Sequence, residues 1–298
     1  MNDHPIQIEN VSRSYGKTKV LSNLNLSVKK GSIYGFLGRN GSGKTTAIRM
    51  LAGLITPDEG SVQILGHDPF LAGAEEKQWV GYMSEKGIIP PNVSISRVLQ
   101  LGRELYPNWD GALADALVGK YNLTPKKKIS TLSQGKQRLL AFIMAIAPKP
   151  KVLLLDEPAA NLDVVARREI LDEVLGLIRE CESTVLFSTH ILSDVERVAD
   201  EIGILAGGSL RVSESLDSLK DSIRQVRFYG FPGALPENGI EGGFRTVRGR
   251  DEFLVTMRST GLVTPEEQSR RWKCLYETRP LSLEDIFVEL SLYQEPKP

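Results

Sequence analysis

Cysteine is nearly missing from the chain. Two residues in 298, Cys181 and Cys274, supply no disulfide framework and read as free thiols of a reducing compartment. A long apolar run is missing as well. The richest stretch, LLAFIMAIAPKPKVLLLDE, is broken by PKPK, short of the roughly 18 to 20 consecutive apolar residues that a membrane-spanning helix needs. The opening MNDHPIQIEN has neither the basic n-region nor the apolar h-region of a signal peptide. These three absences lead to the expectation of a soluble, cytoplasmic chain that meets a membrane only through another protein. An excess of positive charge is missing too, since 37 Lys and Arg balance 37 Asp and Glu. Neutralising a phosphate backbone needs a basic face, so nucleic acid is not an expected partner. Internal repeats and low-complexity segments are also lacking. What is left is an ordinary globular profile, 41% hydrophobic and 25% charged, enough for one large domain or a main domain with an appendage.

The most informative stretch that is present is FLGRNGSGKTT, Phe36 to Thr46. Before it, Ile33, Tyr34, Phe36 and Leu37 read as a short buried strand. After it, Ile48, Leu51 and Leu54 are spaced for one helix face. Gly38, Gly43, Lys44 and Thr45 match G-x-x-x-x-G-K-[ST], with an additional glycine at Gly41. Between a strand and a helix this pattern has a mechanism. Glycines let backbone N–H groups curl round a phosphate, and the helix N-terminus adds its positive dipole end. Lys44 would reach the β- and γ-phosphates, and the Thr45 hydroxyl would ligate Mg²⁺. A nucleoside triphosphate is the expected ligand.

Downstream, KVLLLDEP carries the continuous apolar run Val152 to Leu155, as expected of a parallel strand buried on both faces. Two carboxylates stand at its carboxyl end, where ligands bind in open α/β sheets. Asp156 is placed to hold the Mg²⁺ shell, and Glu157 to polarise a water in line with the γ-phosphate. A third apolar strand, STVLFSTH, ends at His190. That histidine is either a satisfied structural residue or a group near the γ-phosphate; the strand alone leaves both open. A guanine-binding N-K-x-D motif is absent, which argues against a GTPase.

Taken in order, these segments resemble the ATP-binding subunit of ABC transporters, from the N-terminus to about Ser215. RSYGKTKVL resembles the segment that offers an aromatic ring to adenine, here Tyr15. GRNGSGKTT resembles the Walker A loop, which implies nucleotide contacts from Gly38, Arg39, Asn40, Gly41, Ser42, Gly43, Lys44, Thr45 and Thr46. LSQGKQ, Leu132 to Gln137, resembles the family signature. LLLDEP resembles Walker B with the catalytic glutamate at Glu157. NLDVVARRE resembles the D-loop with Leu162 and Asp163. STHILSDVERVAD resembles the switch region with its catalytic histidine at His190. GGSL resembles the turn before the end of the core. Two departures stand out. Gln134 and Lys136 replace a glycine and a glutamine of the signature, while Ser133 and Gly135 remain to approach the γ-phosphate of a facing subunit. In GYMSEKG, Ser84 replaces a proline and Glu85 replaces a glutamine; a carboxylate there can ligate Mg²⁺ but adds negative charge, and its other reading is a solvated loop residue.

The resemblance implies an α/β P-loop NTPase core with an antiparallel β subdomain and a helical subdomain. It implies ATP and Mg²⁺ as cofactors. ATP would be sandwiched between the P-loop of one subunit and the signature of another, in a homodimer or a heterodimer with a homologous ATPase. Hydrolysis would drive a separate integral-membrane permease subunit, with this chain peripheral on the cytoplasmic face. The expected division is an ATP-binding domain over 1–219, with its helical subdomain at about 86–150, and an accessory or regulatory α+β domain over 220–298. In the helical subdomain Val98, Leu101 and Leu105 share a helical spacing, as do Leu113, Leu117 and Tyr121. Lys126 to Lys128 read as a solvated loop. In the tail IRQVRFYGF reads as a strand, FRTVRGRDEFLVTMR as two, RWKCLYETRP as another and FPGALPENGIEGG as a loop. SLEDIFVELSLY reads as a helix capped by Ser282, with Leu283, Ile286, Phe287 and Leu290 forming a stripe that either meets another surface or closes the tail's own core. LSLEDIFVEL and ELYPNWD resemble segments of ATPases that serve ABC-2-type exporters of drugs, antimicrobial peptides or sodium. Soluble ABC ATPases acting on DNA or ribosomes, the alternative, usually carry two cassettes or a long coiled-coil insertion, and this chain has neither.

Overall fold

The computed structural model describes residues 3–85, 89–160, 162–232, 243–258 and 263–292, the side chains of 177–181 and 292 excepted. It divides into two compact units, Met1–Ser213 and Glu214–Pro298, so the break falls a little before the expected boundary.

The first unit begins with strands β1 (Ile6–Tyr15), β2 (Thr18–Val28) and β3 (Ile33–Gly38), helix α1 (Lys44–Leu51), strand β4 (Glu59–Ile64), the short helix α2 (Ala74–Lys77) and strand β5 (Val80–Met83). Helices α3 (Ile95–Leu105), α4 (Gly111–Lys120) and α5 (Gln134–Ile146) follow. Strand β6 (Val152–Asp156), helix α6 (Val164–Cys181), strand β7 (Thr184–Thr189), helix α7 (Leu192–Val198) and strands β8 (Glu201–Ala206) and β9 (Ser209–Ser215) complete it. Among the described residues, β5-β6-β7-β3-β8-β9 form one sheet and β2-β1-β4 a smaller antiparallel one.

The apolar runs read from the sequence are the central strands. β3, β6 and β7 are buried at every position, as strands covered on both faces must be. They pair in parallel with their neighbours, so their carboxyl ends line up on one edge. The small sheet turns Ile8, Leu21, Leu24 and Leu26 into a core shared with Tyr34, Phe36, Ile48, Met50 and Leu154. That common core fixes α1 against both sheets.

Three helix faces differ from the sequence expectation. α1 stops at Leu51, leaving Leu54 at 52% exposure rather than on its buried face. Gly53, at φ 68°, takes the left-handed position, with Gly53 N–H donating to Met50 O and Leu54 N–H to Arg49 O, each at 2.9 Å. That is a Schellman stop, in which the glycine ends the helix. In α3 the buried set is Ile95, Val98, Leu99 and Gly102, while Leu101 and Leu105 are exposed. Gly102 belongs to that face because the Trp109 ring lies on it; a Cβ there would come within 2.3 Å of the ring. In α4 the buried residues are Ala114, Leu117 and Val118, followed by Tyr121, and Leu113 is only half-buried. Lys126, Lys127 and Lys128 are exposed, as expected.

The second unit comprises α8 (Leu216–Ser222), β10 (Ile223–Tyr229), β11 (Gly243–Arg248), β12 (Glu252–Arg258), α9 (Pro265–Trp272), β13 (Leu275–Pro280) and α10 (Leu283–Leu292). Its antiparallel sheet has the order β11-β12-β10-β13. Val226, Phe228, Phe253, Val255, Met257 and the buried thiol Cys274 form a core against Phe231 and Trp272. The expected strand in RWKCLYETRP begins only at Leu275, because Arg271 and Trp272 finish α9 and Lys273 turns left-handed at φ 51°. Thr264 and Glu267 form a reciprocal capping box with Pro265 at the first turn, a start signal the sequence reading passed over. α10 forms where expected, with Asp285 N–H donating to Ser282 Oγ at 3.1 Å. Leu283, Ile286 and Leu290 are buried, and Glu289 pairs with Arg245 of β11 at 2.9 Å. The stripe is therefore no free surface. Most of FPGALPENGIEGG lies outside the described residues, as does the side chain of Cys181.

Candidate nucleotide site

The strand order makes the site. Because β7 lies between β6 and β3, the turn after β3, the acids after β6 and the histidine after β7 open onto one edge. A cleft of about 540 Å³ sits there, lined by the loop Asn40–Thr46 together with Val20, Glu85, Glu157, Ala160 and His190.

The loop needs its glycines for stated reasons. Gly41 and Gly43 lie at φ 81° and 111°, a backbone that side chains resist. A Cβ at Gly43 would also sit 2.6 Å from Leu21, and one at Gly38 would sit 2.4 Å from Ser42 Oγ. Gly43 caps α1 without a side chain, so the first-turn N–H groups of the helix keep their donor capacity for an anion. Ser42 Oγ is buried without a hydrogen-bond partner, a second polar group that the loop itself leaves unsatisfied.

Lys44 is 6% exposed. Its ammonium donates to Gly38 O at 2.7 Å and Arg39 O at 3.4 Å, and lies 3.7 Å from Glu157 Oε1. Burial drives it below the usual lysine range, while Glu157 and Asp156 pull it back up. A buried cation at a ring of N–H donors is an anion receptor.

Asp156 is fully buried, and its Oδ1 accepts from Thr45 Oγ1 at 3.1 Å and Ser188 Oγ at 2.7 Å. Its Oδ2 is buried with no hydrogen-bond partner. An unsatisfied carboxylate oxygen beside a threonine hydroxyl fits a divalent cation with hard oxygen ligands. Among the described residues no group of three or more His, Cys, Asp or Glu could hold a metal alone, so such an ion would draw on Thr45 and the nucleotide as well. Glu157 stands at φ 51°, a left-handed non-glycine residue. Its N–H faces Ser188 Oγ at 3.0 Å, and its Oε2 lies 2.9 Å from His190 Nδ1.

Tyr15 caps the β1–β2 hairpin, paired with Thr18, and is 47% exposed. The Arg13 guanidinium lies 5.2 Å from its ring centre and pairs with Asp58 Oδ1 at 2.6 Å, while Asp58 Oδ2 accepts from Ser14 N–H at 2.7 Å. One face of the ring is thus backed by a cation. Arg39 is exposed and enters the site through its carbonyl.

Ser133, Gly135 and Asp163 are elsewhere. They line a second cleft of about 880 Å³ with Gln134, Lys136 and Leu162, and the two clefts have no lining residue in common among the described residues. Ser133 Oγ caps α5, accepting from Lys136 N–H at 3.4 Å, and Asp163 Oδ1 caps α6 through Val165 N–H and Ala166 N–H, each at 2.9 Å. Lys136 turns its ammonium to Asn122 O at 2.9 Å. Sequence reasoning missed Ser188, which bridges Asp156 and Glu157, and Arg138, which donates to backbone carbonyls beside both Glu85 and Glu157. Ser188 could have been found from its register partner, since β6 and β7 pair Asp156 with Ser188.

A glycine cradle with a buried lysine, facing two carboxylates on the next strand but one, defines a P-loop nucleoside triphosphatase. The ABC transporter family profile matches residues 21–160. The chain is 34% identical over 223 residues to the bacitracin transport ATP-binding protein BcrA of Bacillus licheniformis, covering 74% of this chain and 72% of that one. It is 30% identical over 316 residues to the Nod factor export ATP-binding protein I of Burkholderia orbicola (strain AU 1054), covering 98% of each. Among solved structures, the dimeric bacterial ABC transporter cassette MJ0796 superposes with a TM-score of 0.64 at 26% identity, over 71% of this chain and 98% of that one. The chain belongs to the ATP-binding proteins of ABC transporters, and it is an ATPase.

Lys44→Ala removes the buried cation that faces the loop. Affinity for Mg-ATP should fall at least about 100-fold, the loss expected of a charge-assisted phosphate contact. Titration calorimetry reads this directly, and an unchanged affinity would remove Lys44 from the site.

Proposed function

We propose that the chain powers an ABC-2-type exporter as part of an ATPase dimer. Each ATP is held between the P-loop cleft of one subunit and the signature cleft of the other. The observation that supports this is the division of the nucleotide residues between two clefts, with Lys44, Thr45 and Glu157 in one and Ser133, Gly135 and Asp163 in the other. A second copy of the chain or a homologous subunit supplies the facing signature. The relative named for Nod factor export, which matches along 98% of both chains, supports the direction of transport. The membrane path is assigned to a permease subunit; no helix among the described residues is long and apolar enough to cross a membrane. Leu101 and Leu105, exposed one turn apart on α3, offer it an apolar ridge, and the subunit would sit peripherally on the cytoplasmic face of the membrane.

Tyr15, outside the cleft lining on the β1–β2 turn, stacks on adenine with Arg13 behind it. The N–H groups of the loop and Lys44 hold the β- and γ-phosphates. Glu157 takes a proton from the water that attacks the γ-phosphorus, and His190 holds that carboxylate through Oε2. Thr45, Asp156 and Glu85 would hold Mg²⁺, which when bound neutralises charge on the phosphates. The second unit is an accessory or regulatory module, because every nucleotide residue lies before Glu214.

The Glu157→Gln variant keeps the shape and loses the basic oxygen. Hydrolysis should fall about 100-fold or more while ATP binding persists. The protein should then run as an ATP-dependent dimer in size exclusion; a monomer with parent-like turnover would refute the dimer and the base together. Glu85→Gln removes one negative charge beside the phosphates and should shift the Mg²⁺ concentration for half-maximal rate; superimposable metal titrations would return Glu85 to a solvated role. A chain ending at Ser213 should bind ATP with the parent's affinity but differ in basal hydrolysis or in sedimentation, and loss of binding in a soluble truncated protein would make the second unit part of the nucleotide fold.

A further inference from the structure

Arg138 is the fifth residue of α5, and nothing in the motif pattern marks it. It is nonetheless 8% exposed, inside the first unit, among acidic residues. Its guanidinium donates to the carbonyl oxygens of Glu157, Glu85 and Pro158, the last at 3.4 Å. These acceptors are main-chain atoms. Arg138 leaves the carboxylates of Glu157 and Glu85 to the nucleotide cleft, which both line.

We propose that Arg138 is the positioning residue of the catalytic carboxylate: it holds the Glu157–Pro158 turn in its left-handed form and ties that turn, with the Glu85 segment, to the signature end of α5. The proposal rests on Glu157 as the base. Four features carry it. Glu157 has φ 51° and precedes a proline, a combination of constraints that persists only where the surroundings over-determine it. Ser188 fixes the N–H side of that residue and Arg138 fixes its carbonyl side. A guanidinium also presents its donors in a rigid planar fork, so one side chain holds three carbonyls in a set relation, which a flexible ammonium does not do. Finally, Arg138 sits within about one and a half helical turns of Ser133 and Gly135, which face the other cleft. A helix is stiff over that length. A shift of the signature end therefore moves the guanidinium and, through it, the backbone that aims both cleft glutamates.

The test uses the full chain as Arg138→Met and Arg138→Lys, each alone and with Glu157→Gln, followed by steady-state ATPase kinetics and ATP calorimetry. Arg138→Met should lower kcat about 100-fold while KM and the ATP dissociation constant stay within about threefold of the parent, because aim is lost and not the phosphate cradle. Arg138→Lys, with the charge but without the fork, should recover only part of kcat. On top of Glu157→Gln, Arg138→Met should slow hydrolysis no further, since residues acting through one group are non-additive. Parent-like kcat in Arg138→Met overturns the proposal. So does a joint collapse of kcat and ATP affinity in both variants, which marks a purely structural residue. An additive loss in the double variant separates Arg138 from Glu157 and also overturns it. Parent-like hydrolysis by Glu157→Gln alone would instead sink the base assignment, and a slow Arg138→Met beside it would show that Arg138 acts through another group.

Discussion

The cleft depends on one strand, β7, and its parallel pairing with β6 on one side and β3 on the other. Strands in a sheet lie about 4.8 Å apart, so three adjacent carboxyl ends span only about 10 Å. That spacing brings Lys44, Asp156 and His190 together from widely separated parts of the chain. Register does the finer work. Asp156 is opposite Ser188, and this pairing lets one hydroxyl serve both the Asp156 carboxylate and the Glu157 amide. A one-residue slip of β7 would turn Ser188 to the other face of the sheet and take its hydroxyl from both buried groups, leaving Asp156 Oδ1 with Thr45 alone.

Charge follows the same economy. The cleft region buries Lys44 and Arg138 with Asp156 and Glu157, and no member of this set is isolated. Buried ions are tolerable when their partners are close and the remaining donors are satisfied, and here carbonyl oxygens supply much of that satisfaction. The charge that binds a nucleotide is therefore held in place by neutral backbone. Lys44 in particular lies among carbonyl oxygens of its own loop, so its position does not depend on a single counter-charge.

Much of this was legible in the sequence where a local rule was at work. Buried parallel strands show as unbroken apolar runs, and the P-loop shows as glycines that its backbone demands. Reading failed where a contact at long range decided the outcome. The face of α3 turned on Gly102, which looks like a gap in an apolar stripe until Trp109 fills it. Leu54 was lost from α1 because Gly53 ends the helix first. Arg138 drew no reading at all; its contacts are with the carbonyls of Glu85 and Glu157, distant in the chain and close in space. α9 is the exception, because its capping box was local and visible and was outweighed by the strand-like residues after it.

The separation of the two clefts has a genetic corollary. If each γ-phosphate is shared, every subunit owns one half of each of two sites. A copy with a damaged signature cleft would keep its own P-loop intact and spoil its neighbour's. Paired with a normal chain, such a copy would leave one site whole and the other without its signature half. Two copies damaged in different clefts would, in the mixed dimer, leave one site wholly intact and the other doubly broken. Complementation between defective alleles thus becomes a direct readout of how the halves are shared.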